Sequence, residues 1–232
     1  MIRLDTLTLA RLAENTYEPS SSTTMLGDWS IHDFNATDNF LVRAYKPSRG
    51  KFVVIAFRGS DNWKDFVVAD AGGIMLSLNA IALHLNSAID FTMKMKIMFG
   101  DCWLVGHSLG GAYVQLIAAI CDMPGVTFNA PGVLNLLNQM SSRIGTRIVG
   151  SVGGGAMSLL TKGLSDFANM AAASADDHAF AAVANYGANL DPVSRIGAQV
   201  GAPIQRITLG SLLPHPHSMK PLIAALAGRL TR

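Results

Sequence analysis

Glutamate is nearly missing from this chain: Glu14 and Glu18 stand against 14 aspartates. Charge of every kind is sparse, at 15% Asp, Glu, Lys and Arg, where an average globular protein carries about 25%. The 18 basic and 16 acidic residues leave a formal net charge of +2, and no block of like charge occurs. That balance excludes the clustered basic face of a nucleic-acid binder. Cysteine is scarce too. Cys102 and Cys121 alone exclude a disulfide framework and a Cys-based zinc site. Each sits in an apolar run and is expected to be a buried free thiol. No H-x-x-x-H or Cys–His spacing occurs, so neither a metal nor a cofactor is expected.

Hydrophobic residues, by contrast, make up 50% of the 232 positions, which excludes a disordered chain. A single domain of this length can bury about 70–75% of its unfolded surface. With so little charge, its surface is either small relative to its volume or partly apolar. The opening stretch carries Asp5 and Glu14 where a secretory leader would be apolar. Residues 71–89 lack formal charge and are long enough to cross a bilayer. However, Ser77, Asn79, His84, Asn86 and Ser87 would be costly in lipid. The expectation is therefore neither a signal peptide nor a membrane span. On that expectation the location stays open between the cytoplasm and export by a specialised secretion system.

Periodicity predicts a helix over 4–16, then a loop at Pro19–Ser22. Trp29–Phe34 and Phe40–Tyr45 read as strands joined by a polar turn at Asn35–Asn39. Lys51–Phe57 is an unbroken apolar, β-branched run, the pattern of a strand buried on both faces. One or two helices follow over 63–99, with Gly72-Gly73 as a break. Further strands are expected at Cys102–Val105, Gly125–Asn129, Ala181–Tyr186 and Gln205–Leu209. Helices are expected at Leu109–Cys121, 133–141 and after Ser218, with Pro221 in the first turn of the last. Residues 145–178 are rich in glycine and alanine and read as an insertion, with an uncharged run from Ile148 to Thr161. Strands alternating with helices imply an α/β fold with a mostly parallel sheet. No linker is evident, so residues 1–232 are expected to form one domain.

Gly106-His107-Ser108-Leu109-Gly110-Gly111 carries the chemistry. This G-x-S-x-G run closes an apolar strand and opens an apolar helix, the context of a nucleophile elbow. Ser108 must sit on a strained turn with its hydroxyl above the sheet. Side chains two positions either side would collide, hence the glycines. The helix that follows aims its first N–H groups at the site. A serine nucleophile needs a base and a group to orient that base. Among the acids after Ser108, Asp191 follows a strand candidate and stands where a triad acid belongs. Asp176 and Asp177 lie in the insertion. His217 directly precedes the last helix and is the favoured base, with His215 and His178 as alternatives.

Phe57-Arg58-Gly59-Ser60, followed by Trp63 and Asp65, joins GHSLGG in a wider pattern. So do Thr127–Gly132 (TFNAPG), Leu190–Val193 (LDPV) and the opening LARLAENTY. Together they resemble the class 3, or fungal-type, lipases, over about residues 8–225. The resemblance implies an α/β-hydrolase fold and a serine esterase of lipase or phospholipase type. It implies that Ser60 and Leu109 give the oxyanion-hole N–H groups, and that Arg58 is structural, paired with Asp65 or another acid. It departs from the family in two ways. Asp191 and His217 are close together in sequence, and no short lid is evident between Ser60 and Ser108. The helices after Asp65 or the insertion at 145–178 are candidates to form the mouth instead.

The expected partners are a lipid or other ester substrate and peripheral contact with a membrane. If the protein is a secreted antibacterial effector, an immunity protein covering the site joins them. The same triad would also serve an acyltransferase or thioesterase, and an idle binding module on this fold remains an alternative.

Overall fold

The computed structural model describes residues 4–19, 26–37, 39–60, 72–137, 182–209 and 215–230. The insertion at 145–178, His178 and Asp65 lie outside these residues. Helix α1 (Thr6–Asn15) starts the fold, with Asp5 capping it by accepting the Thr8 N–H at 2.8 Å. Strands β1 (Trp29–Thr37), β2 (Phe40–Pro47) and β3 (Phe52–Phe57) follow. Next come helix α2 (Gly72–Phe99), β4 (Asp101–His107), helix α3 (Leu109–Cys121) and β5 (Gly125–Phe128). The chain closes with β6 (Val183–Ala188), a 3-10 turn (Val193–Arg195), β7 (Gln205–Ile207) and helix α4 (Met219–Leu230).

The seven strands among the described residues form one sheet in chain order. β1–β2 and β2–β3 are antiparallel, and every pair from β3 to β7 is parallel. Alternation along β3 explains the unbroken apolar run. Val53, Ile55 and Phe57 face one core with α2 and α3, while Val54 and Ala56 face a second core with α1 and α4. Helix α3 is buried on nearly every side, as its uniformly apolar sequence requires. Among the described residues, no helix is long and apolar enough to cross a membrane.

Several boundaries differ from the sequence expectation. β1 runs on to Thr37, because Asn35, Ala36 and Thr37 pair with Val42, Leu41 and Phe40. Cross-strand pairing outweighs the polar composition there. Gly72-Gly73 stands at the first turn of a 28-residue helix, and the residues before it, 61–71, lie outside the described ones. β6 sits two residues later than its apolar pattern suggested. Both cysteines are free, but only Cys102 is buried and Cys121 is half-buried. Burial pushes both thiols up to about 11.

Candidate active site

The elbow is built by steric exclusion. At Ser108 the backbone takes φ 55° and ψ −126°, a conformation that costs a non-glycine residue about 1–3 kcal/mol. A Cβ on Gly106 would strike the backbone of Gly110, and one on Gly110 would strike the Phe57 carbonyl. A Cβ on Gly111 would reach 2.5 Å from the Ala130 Cβ. These glycines let α3 descend onto β3, β4 and the end of β5. Gly110→Ala sets backbone against backbone, with no flexible side chain to give way. It is expected to cost at least about 3 kcal/mol, read by urea denaturation. A loss below about 1 kcal/mol would mean that the helix is not seated as described.

Ser108 occupies the N-cap of α3, where a serine side chain ordinarily bonds its own helix. Here it makes no such cap. Its Oγ lies 2.8 Å from His217 Nε2 instead, and His217 Nδ1 lies 2.8 Å from Asp191 Oδ1. A carboxylate only accepts, so Nδ1 carries the proton and Nε2 is free to take the Ser108 O–H. Asp191 is held from its own loop: Oδ2 accepts the Ser194 N–H at 2.8 Å, and Oδ1 faces the Val193 N–H at 3.4 Å. Burial would raise the Asp191 carboxyl. The hydrogen bond and charge of His217, with the bonds from Ser194, outweigh it and hold the group below its ordinary value. All three side chains are buried, which strengthens each of these bonds.

The structure thus brings together Ser108 from the end of β4, Asp191 from the loop after β6 and His217 from the turn before α4. His215 is exposed, and its carbonyl accepts the Ser218 N–H at 3.0 Å in the turn before α4. Leu109 opens α3 beside the serine. Ser60 follows Gly59, where a Cβ would come within 2.9 Å of the Ser108 Cβ, so the strand-end loop lies against the serine. The Arg58 N–H bonds the Leu41 carbonyl at 2.9 Å.

One residue beyond the predicted triad also stands inside the site. His107, next to the serine, is buried, and its Nε2 lies 2.7 Å from the His217 carbonyl. Burial and the neighbouring His217 pull its pKa down to about 3. The unfolded chain binds a proton at His107 below about pH 6.5, and the native protein does not until near pH 3. This histidine's contribution to stability is therefore whole above pH 6.5 and is lost as the pH falls toward 3. Wild-type stability should lose about 1.4 kcal/mol per pH unit more than that of His107→Gln across this range. Equal slopes in denaturant titrations at several pH values would contradict it.

A mostly parallel sheet flanked by helices, with a serine at the β4–α3 elbow, defines an α/β-hydrolase fold. Solved structures agree on the fold. An MDLA variant from Penicillium cyclopium matches with a TM-score of 0.55 at 15% identity, covering 91% of this chain and 84% of that one. A triacylglycerol lipase, described as having a serine protease triad at its catalytic centre, matches with a TM-score of 0.50 at 14% identity. It covers 88% and 79% of the two chains. The chain belongs to the Phospholipase-like family described as the Tle-like phospholipase domain, which matches residues 9–150. Extracellular phospholipase A1 of Serratia liquefaciens is 32% identical over 105 residues. That match takes in 45% of this chain and spans only 30% of the relative's length.

Proposed function

We propose that this chain hydrolyses carboxylic esters of lipids, phospholipids foremost, through an acyl-enzyme on Ser108. The observation that carries the reading is the unbroken line from Ser108 Oγ to His217 Nε2, and from His217 Nδ1 to Asp191, with both bonds at 2.8 Å. Family membership and the phospholipase relative favour a phospholipid ester over other esters.

In this mechanism the Ser108 oxygen attacks the ester carbonyl while His217 Nε2 takes its proton. Asp191 keeps the imidazole in the needed tautomer and stabilises its charged form. The N–H groups of Ser60 and Leu109 receive the oxyanion. The tetrahedral intermediate collapses as His217 returns the proton to the leaving alcohol. Water, deprotonated by His217, then attacks the acyl-enzyme, releases the fatty acid and restores the serine. Because long-chain phospholipids sit in bilayers, the protein works in peripheral contact with a membrane.

A mixed lipid panel in ¹⁸O-labelled water, read by mass spectrometry, tests this. The expected products are a lysophospholipid and a fatty acid carrying one ¹⁸O. Acyl chains moved to a new alcohol without ¹⁸O would make the protein an acyltransferase. Release from thioesters alone would make it a thioesterase.

A further inference from the structure

Ser108, His217 and the Gly59–Ser60 loop come from separate parts of the chain, and their relative placement needs a physical cause. The backbone carbonyl of His217 is where the supports converge. It accepts from His107 Nε2 at 2.7 Å and from Asn129 Nδ2 at 3.1 Å. Since a carbonyl only accepts, His107 carries its proton on Nε2. The Nδ1 atom then accepts the Tyr17 hydroxyl proton at 2.7 Å. The Tyr17 oxygen in turn accepts the Gly59 N–H at 3.1 Å. The donors all point one way: Gly59 to Tyr17, Tyr17 to His107, and His107 to the carbonyl of the residue whose ring meets Ser108.

Asn129 supplies the second support. It leaves β5 with φ 49°, a left-handed conformation that asparagine tolerates better than most residues. Its Oδ1 accepts the Ala188 N–H at 2.8 Å, at the end of β6 and three residues before Asp191. Its Nδ2 bonds His217, with the Pro216 carbonyl at 3.4 Å. One side chain thereby ties the strand that delivers Asp191 to the loop that delivers His217. Tyr17 is anchored from the other direction. Arg43, buried in β2, donates to the carbonyls of Asn15 and Glu18 at 2.6 and 2.7 Å and holds the end of α1 on either side of Tyr17.

We propose that Tyr17, His107 and Asn129 are positioning residues of the hydrolase, which set the His217 main chain against Asp191 on one side and against the Gly59–Ser60 oxyanion loop on the other. The inference rests on the reading of Ser108 as the nucleophile. None of the three needs to touch substrate. They act by keeping base, acid and donor loop in one geometry, and a displacement of about 1 Å at such a site can cost about 100-fold in rate.

The test uses the full chain with Tyr17→Phe, Asn129→Asp, His107→Leu and His107→Gln. Three quantities are read for each: the rate of Ser108 labelling by a fluorophosphonate, kcat and KM on a soluble short-chain ester, and the folded fraction by near-ultraviolet circular dichroism. Tyr17→Phe keeps the ring and removes only the hydroxyl. Asn129→Asp keeps the acceptor for Ala188 and replaces the donor to His217. Tyr17→Phe, Asn129→Asp and His107→Leu should lower kcat and labelling by about 10- to 100-fold, with KM within about twofold of wild type. His107→Gln, whose amide N–H can still reach the His217 carbonyl, should recover most of the loss seen in His107→Leu. Wild-type labelling in folded Tyr17→Phe and Asn129→Asp overturns the proposal. So does an equal loss in the Gln and Leu variants, or a loss confined to KM or to folded fraction. In each of those cases the reading of Ser108 stands. A folded wild-type protein that is not labelled at Ser108 overturns that reading, and the positioning role with it.

Discussion

Ser108→Ala is expected to lower ester turnover by about 10⁶-fold, because a triad acts as a unit and fails as one. The change removes a single oxygen. It leaves Asp191 and His217 paired and α3 seated on its glycines, so the protein should still fold. The cost to stability is the buried bond from Ser108 Oγ to His217 Nε2, about 1–3 kcal/mol for a buried acceptor left without its donor. A companion variant separates the hydroxyl from the backbone. With φ at 55°, Ser108→Gly relieves strain that Ser108→Ala keeps, and should be the more stable of the two by about 1 kcal/mol. Both should be equally inactive. Wild-type hydrolysis of a short-chain ester by either would remove the serine from the mechanism.

His217→Ala should cost nearly as much activity as Ser108→Ala, again about 10⁶-fold, while His215→Ala should stay within a few-fold of wild type. Two residues apart, these histidines differ in everything the chemistry needs. The His217 ring is buried between Ser108 Oγ and Asp191 Oδ1, at 2.8 Å from each. His215 is exposed on the turn before α4. Removing His217 leaves the Asp191 carboxylate buried without the ring N–H that its Oδ1 accepts. His217→Ala should therefore also lose stability by about 3–5 kcal/mol. Activity is compared at equal folded fraction, with kcat and KM taken separately. Comparable losses in the two variants would move the base elsewhere.

Much of the site is legible in the sequence because its signals are local. The two elbow glycines are needed for reasons that span only a few residues, and the strand before them and helix after them are written in unbroken apolar runs. Asp191 could be picked out because it closely follows a strand. His217 could be favoured over His215 and His178 from its place directly before the last helix, while the contact itself depends on which ring the turn before α4 carries inward. Tyr17 and Asn129 were legible only as parts of motifs. Their partners lie 90 and 88 residues away, and nothing in periodicity reports a contact of that range. The same holds for Arg43. A charge in the middle of a strand pattern reads as an outward-facing residue, yet this guanidinium is buried against backbone carbonyls at the end of α1. β1 ran past its expected end for a related reason, because its last residues are held by β2 rather than by their own propensity.

The proposed hydrolysis turns on one covalent event, the acylation of Ser108 with His217 as base. Fluorophosphonate treatment of the full chain, followed by intact mass and peptide mapping, reads that event directly. A single phosphonyl adduct is expected on the peptide that contains Ser108, absent in Ser108→Ala and formed far more slowly in His217→Ala. An adduct on another residue, or a folded wild-type protein that carries none while still hydrolysing esters, would contradict it.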